Sequence, residues 1–404
     1  MLWLYNIAIQ LYGLIVKTFS LFNNKAKLFI RGRKNIFENI QKKIDPAKSN
    51  IWFHFASLGE FEQGRPLLEK IKSEYPEKRI VITFFSPSGY EIRKNYALAD
   101  GVFYLPLDTA NNAKQLIAAI NPEIAVFTKY EYWYHYFENL HKSGIPIYII
   151  SGIFRPDQIF FKWYGSFNRK ILSFVNHFFV QNEESKQLLS QINIKNVSIS
   201  GDTRFDRVAE NAESPKDFEL IRKFRNNTPT LIAGSTWPAD ERLLTLLITK
   251  KTDWKFIIAP HEIDKAHIDE IVKLIPTAIR YSELSDQSMN SQILIIDNIG
   301  ILSSVYQYGE IAYIGGGFGV GIHNTLEAAA FGIPVIFGPK YDKFQEAKDL
   351  ISIGAASSIG TAEELFKAFN KLATNKTAGE IAKNYVNSKT GSTDQIIKYI
   401  AQNF

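Results

Sequence analysis

The chain has 404 residues, 46% of them hydrophobic, with 30 Phe, 19 Tyr, no cysteine and a formal net charge of +6. At about 100–200 residues per domain this length predicts two folded domains; the apolar content excludes disorder, and the absent thiols exclude disulfides, thiolate nucleophiles and Cys-ligated metal centres. The charge is local: between Lys17 and Lys48 nine basic residues face only Glu38 and Asp45, a segment at +7, which leaves the rest of the chain near −1.

The N-terminal stretch MLWLYNIAIQLYGLIVKTFSLF places Asn6, Gln10, Gly13, Lys17 and Ser20 at helical spacing in an apolar background. That is an amphipathic helix with a narrow polar stripe. No positive charge precedes the apolar run and no small-residue cleavage site follows it, so it does not read as a secretory signal. Its uncharged part is also shorter than the roughly 20 residues of a membrane span. The expectation is a helix lying in the membrane interface, with the basic collar up to residue 48 drawn to anionic headgroups. The alternative is a core-packed helix with a solvated charge run. A nucleic-acid arm is disfavoured, because the basic cluster adjoins an apolar helix and not a stacking platform of exposed aromatics.

From residue 50 onward, short β-rich runs alternate with helical patterns. NIWFHFAS, RIVITFF, GVFYLPL, EIAVFTK, IPIYIIS, HFFVQNE and VSISGD are the strands of a first half. Continuous apolar strands of this kind belong in a parallel sheet covered on both faces. The rhythm breaks at 208–228, which reads as a polar linker. It resumes with TLIAGSTW, WKFIIAP, TAIRYSE, QILIIDN, EIAYIGGG and IPVIFGP. The fold class is therefore α/β: two doubly wound, Rossmann-like domains, with ligands expected beyond the C-terminal strand ends in a cleft between them.

Several strand ends carry candidate chemistry. FHFASLGEFEQG puts Glu60 at a strand-to-helix joint. Ser57 and Glu60 have the spacing of a capping box, but a carboxylate there also stands where α/β proteins hold ligands. FFSPSGYE offers Ser86, Ser88 and Gly89, FTKYEYWYHYF offers Glu131, and SGDTRFDR offers Arg204. Ionised side chains among aromatics avoid burial unless paired. In the second half, AGSTWPADE presents Ser235 and Thr236, APHE presents Pro260 and His261, and DNIG presents Gly300.

The densest signal is YIGGGFGVGIHNTLEAAAFGIPVIFGP at 313–339. Its glycines let backbone approach a ligand, and the helix start at Asn324 and Thr325 favours an anion. A nicotinamide site would place such a motif in the first βα unit, with an acidic residue about 20 positions later. Here the acidic residue is Glu327, within the helix start, which suits a nucleotide with its ribose on Glu327 and its phosphate on Asn324. The seven histidines form no HExxH, so no metal site is expected.

Taken together and in order, ASLGE, FFSPSG, KYEYW, SGDTRFD, GSTW, APHE and the glycine-rich segment resemble the 3-deoxy-D-manno-octulosonic acid (Kdo) transferases of Gram-negative bacteria, over about residues 1–390. The resemblance implies a GT-B glycosyltransferase that moves Kdo from CMP-Kdo to the lipid A precursor, without metal or other cofactor, at the cytoplasmic face of the inner membrane. It implies Glu60 as proton acceptor, Glu131 and Arg204 as transition-state supports, and CMP contacts at Pro260, His261, Ile299, Gly300, Ile301, Asn324, Thr325, Leu326 and Glu327, beside the Ser235 and Thr236 hydroxyls, whose place at a strand end suits phosphate. Ser57, Ser86, Ser88 and Gly89 fall on the acceptor side. The implied organisation is a membrane-associated segment (1–48), an acceptor domain (49–207), the linker (208–228), a CMP-sugar domain (229–390) and a C-terminal helix (391–404). The sequence departs from the family's pattern at Pro-His-Glu (260–262) in place of Pro-Arg-His, at Ile-Gly-Ile (299–301) in place of a Met-Gly-Glu-like stretch, and at Lys129 and Glu131 where paired acids are usual. Alternatives are a GT-B transferase using a UDP-sugar, or a non-catalytic membrane-bound module that binds nucleotide or anionic lipid.

Overall fold

The computed structural model describes residues 1–285 and 289–404. The chain forms two compact units: Met1–Asp206 together with Thr390–Phe404, and Arg207–Lys389. The first is built on β1 (Asn50–Phe55), β2 (Ile80–Phe84), β3 (Gly101–Tyr104), β4 (Pro122–Thr128), β5 (Ile147–Gly152), β6 (His177–Val180) and β7 (Val197–Ile199), in the order β3-β2-β1-β4-β5-β6-β7. The second is built on β8 (Thr230–Thr236), β9 (Lys255–Pro260), β10 (Ile279–Arg280), β11 (Ile293–Ile295), β12 (Ile311–Ile314), β13 (Val335–Phe337) and β14 (Ala356–Ser358), in the order β10-β11-β9-β8-β12-β13-β14. All pairings are parallel. These are the two doubly wound units of the GT-B class.

Each predicted strand segment contains a strand. β14 was not foreseen, because Ala356–Ser358 is too small and polar to read as one. Strands β1 and β2 are buried along their whole length, which explains their nearly unbroken apolar sequence: each such side chain contributes about 1.5–3 kcal/mol when removed from water. In each sheet the order reverses once near the middle, between β1 and β4 and between β8 and β12. Loops leaving those strands flank the crevice where open α/β sheets bind ligands.

The stretch 208–228, read above as a linker, carries helices Arg204–Glu213 and Glu219–Arg225. It clusters with the second unit, where Ile221 and Phe224 are buried. Helix Ser392–Ile400 returns to the first unit: Asp206 accepts from the Gly391 N–H at 2.6 Å and the Thr393 N–H at 2.7 Å, and Ile396, Ile397 and Ile400 join the core around Phe53 and Phe55.

The N-terminal helix Leu2–Phe19 docks along the first unit by an unexpected face. The Tyr5 hydroxyl donates to Asp108 Oδ2 at 2.5 Å, Asn6 Oδ1 meets His135 Nε2 at 2.7 Å, Ile9 is buried and Gly13 lies against Leu107. Two members of the predicted polar stripe, Asn6 and Gly13, thus face protein. Trp3, Leu4, Leu11 and Leu14 are 51–62% exposed. Among the described residues this is the one helix long and apolar enough to cross a membrane.

Candidate functional site

In the first unit the candidate groups leave strands on either side of the switch point. The chain passes from β1 through Ala56 and Ser57 into helix Leu58–Glu74. Ser57 takes the N-cap position with extended backbone, but its hydroxyl makes no capping bond. Glu60 folds back, and its Oε2 accepts from the Ala56 N–H at 2.5 Å. The reciprocal capping box therefore does not form. Burial, and then the charge of Glu131, push the Glu60 carboxyl up to about 7 against the lowering effect of the Ala56 and Ser57 amides and of Lys129. Such a group is poised to take a proton near neutral pH.

Glu131 follows β4 after a left-handed turn at Lys129, φ 58°. Its Oε2 lies 3.1 Å from His54 Nε2 and accepts from Trp133 Nε1 at 2.9 Å. A carboxylate only accepts, so the His54 proton that faces it is on Nε2. On its other side His54 Nδ1 meets Thr83 Oγ1 at 2.8 Å, which also accepts from Trp52 Nε1 at 2.8 Å. A fully buried polar relay from β1 and β2 thus fixes Glu131. His54 was overlooked in the sequence; the signal was a histidine inside a strand buried on both faces, where it must find partners.

Arg204 donates from Nε to Asp202 Oδ2 at 2.9 Å, and Asp202 Oδ1 accepts the Arg204 N–H at 3.0 Å. Burial works to raise the Asp202 carboxyl, but Arg204 and then Lys129 hold it below the usual range. Gln63, on the same helix as Glu60, also reaches Asp202, at 3.3 Å. Ser86 caps helix Pro87–Arg93, its Oγ accepting from the Ser88 N–H at 3.3 Å. Gly89 is buried, and a Cβ there would run into the Phe84 ring.

In the second unit the predicted donor residues gather at the C-terminal ends of β8, β9, β11 and β12. Ser235 is left-handed, φ 54°. Thr236 corrects the prediction: it is fully buried and its hydroxyl is already committed to Glu241, to which it donates at 3.0 Å. Pro260 ends β9, and the exposed His261 ring stacks on both Trp237 (4.8 Å, 25°) and His323 (4.4 Å, 26°), which lie side by side. Trp237 Nε1 donates to His323 Nε2 at 3.2 Å. Burial, with His261 beside it, lowers His323 to about 4, so that ring is a neutral acceptor at pH 7. Neither Trp237 nor His323 was singled out, though both lie inside the quoted motifs.

Ile299 is 84% exposed, Gly300 has φ 89°, and Ile301 turns inward at 9%. Asn324 Oδ1 accepts from the Leu326 N–H at 3.0 Å, and its amide donates to Glu327 Oε1 at 3.1 Å. Leu326 is buried, and the Thr325 hydroxyl is buried without a hydrogen-bond partner. The helix there, Leu326–Ala330, has only five residues, too short for much of the dipole expected of it. Two of the glycines serve packing: a Cβ on Gly315 would lie 2.6 Å from Thr236 Cα, and one on Gly317 2.6 Å from Gly338 Cα. Asp240 pins this loop, accepting from the Tyr313 hydroxyl at 2.7 Å and the Gly316 N–H at 3.0 Å. Lys340 Nζ donates to Gly319 O at 2.7 Å, which sets a cation beside the loop. Among the described residues Glu262, Asp264 and His267 place ligand atoms within 4.8 Å of one another, but Asp264 caps helix Lys265–Leu274 and His267 Nε2 faces Glu241 at 3.1 Å.

Residues 31–207 match the family model of 3-deoxy-D-manno-octulosonic-acid transferase. The chain is 31% identical over 317 residues to the 3-deoxy-D-manno-octulosonic acid transferase of Chlamydophila psittaci, covering 75% of this chain and 73% of that one. It is 27% identical to the enzyme of the same name from Aquifex aeolicus, over 82% and 88% of the two chains. In structure it is similar to a UDP-GlcNAc 2-epimerase from Neisseria meningitidis, with a TM-score of 0.58 at 15% identity over 87% and 100% of the chains, a likeness of fold alone.

Proposed function

Because the chain belongs to the Kdo transferase family of glycosyltransferases, we propose that it moves Kdo from CMP-Kdo to a hydroxyl of the lipid A precursor, by a single inverting displacement and without a metal ion. The observation that carries this reading is Glu60: a half-buried carboxyl at the β1/β4 switch point, pushed up to about 7. Its ionised form takes the proton from the acceptor hydroxyl as that oxygen attacks the anomeric carbon. The bond to the CMP phosphate oxygen breaks, and CMP leaves with the electron pair. Glu131, held by His54 and Trp133, and Arg204, held by Asp202, are fixed charges that stabilise the transition state without reorganising.

The donor subsite of this proposal lies in the second unit. The Trp237–His261–His323 stack takes the base, and Asn324 and Glu327 take phosphate and ribose. Lys340, beside the glycine loop, supplies positive potential for the departing phosphate, the role a metal would otherwise fill. The outward apolar surface of helix Leu2–Phe19 and the basic collar behind it support residence at the cytoplasmic membrane surface, where the lipid acceptor is found.

The test is Glu60→Gln assayed with CMP-Kdo and lipid A precursor. Transfer should fall by about 10²–10⁴ while CMP binding stays as in the parent and Tm is not lowered, and chelator should leave the parent's rate unchanged. Turnover retained within a few fold would remove Glu60 as the base, and loss of rate on chelation would remove the metal-free reading.

A further inference from the structure

Between the N-terminal helix and the body of the first unit lies a cavity of about 500 Å³, within the range of small-molecule sites. One wall is the helix, through Tyr12, Val16 and Phe19, which share a face by their i, i+4, i+7 spacing. The facing wall is Ala26 and Phe29 of helix Asn24–Gly32, with Phe85 beyond β2. Phe29 and Phe85 meet edge to face at 5.3 Å, and Tyr12 lies within 6.1 Å of both. Arg33 fastens this wall: its guanidinium sits 3.5 Å over the Phe29 ring and donates to Phe85 O at 2.8 Å. The cavity is therefore apolar and already formed.

Its lining changes character along its length. Ile15 and Phe19 join it to the exposed apolar surface of the helix, Lys25 stands on the rim, and Ser86 and Pro87 complete it. The Ser86 N–H donates to Ala56 O at 2.8 Å, and the Ala56 N–H holds Glu60. The Ser86 side is thus one strand spacing, about 4.8 Å, from the backbone that positions the proposed base.

We propose that this cavity seats one acyl chain of an acylated sugar phosphate, the acceptor itself, and so sets the sugar hydroxyl against Glu60. The inference rests on the acceptor reading above. An apolar slot continuous with the surface assigned to the bilayer suits a hydrocarbon tail, while Lys25 on its rim complements the phosphate. A polar end beside Glu60 distinguishes a seat for acceptor from a simple anchor.

The test uses the full chain on vesicles of phosphatidylcholine and phosphatidylglycerol, with two photolabels that carry a diazirine at the end of the same acyl chain: an N-acylated glucosamine 1-phosphate and a phosphatidylcholine. The glycolipid should label peptides containing Phe29 or Phe85, and the phospholipid the one containing Trp3, Leu11 and Leu14. Ala26→Phe and Val16→Trp each fill the slot; either should cut glycolipid labelling about tenfold, the loss expected if roughly two methylenes leave an apolar site, with vesicle flotation unchanged. Equal labelling by both lipids, or glycolipid labelling that survives both substitutions, would mean the slot holds bilayer chains or nothing, and the proposal falls. Kdo transfer measured in parallel separates the two readings: labelling in the slot without transfer keeps the seat and removes the transferase chemistry, whereas transfer unimpaired in both unlabelled variants removes the seat alone.

Discussion

Lys129 is the residue at which this chain's site is most its own. It holds a left-handed backbone, φ 58°, a conformation that costs a side chain of this kind on the order of 1 kcal/mol. Its charge lowers both Glu60 and Asp202. Lys129→Met should therefore move the acidic limb of kcat/KM to higher pH than the parent's limb near 7, because Glu60 loses a stabilising cation; an unmoved limb would dissociate Lys129 from the base. Glu60 also predicts a stability trend. Burial pushes its carboxyl from the ordinary 4.5 up to about 7 in the folded protein, so its ionisation favours the unfolded chain and stability is lost as pH rises through that window. Glu60→Gln should match the parent's Tm at pH 4 and exceed it increasingly up to pH 8, as read by calorimetry. At this scale the sequence was informative about charge and blind to partners. Glu60, Glu131 and Arg204 stood out as ionisable groups at strand ends, but nothing local shows that His54, 77 residues before Glu131, supports it, or that the Thr236 hydroxyl is taken up by Glu241.

Among the elements, the N-terminal helix shows how far periodicity goes. The spacing of its polar residues predicted a helix correctly, but not which side would meet protein. Asn6 and Gly13 turn inward because His135 and Leu107 receive them, partners more than 90 residues away. Replacing Leu4, Leu11 and Leu14 together by Ser should abolish flotation with anionic vesicles while leaving Tm unchanged, since those side chains are about half exposed or more. Tyr5→Phe should do the reverse: flotation persists but Tm falls, because Asp108, which also accepts from the His135 N–H at 2.9 Å and the Tyr136 N–H at 3.0 Å, loses a hydrogen bond worth about 1 kcal/mol. Strands were more legible than helices for a similar reason. A strand buried on both faces is apolar throughout, whereas Glu219–Arg225 buries only Ile221 and Phe224 and reads as a charged linker.

For the whole molecule, the donor is the discriminating question. CMP should quench tryptophan emission of the full chain, and Trp237→Phe should remove most of that change, since Trp237 stacks on His261. UDP at equal concentration should displace little CMP; efficient displacement would favour a uridine donor instead. By itself the sequence determined the number of folded units, the parallel α/β class, nearly every strand and the family, because each is written in composition, short-range periodicity or motifs that stay contiguous along the chain. Only the tertiary structure decided that the last helix rejoins the first unit, that the leading helix shows its apolar side outward, that two motif glycines exist for crossing backbones, and that a buried histidine relay steadies Glu131. Those outcomes depend on which distant residues meet, and a contact made across a hundred residues leaves no periodic trace in either partner's own neighbourhood.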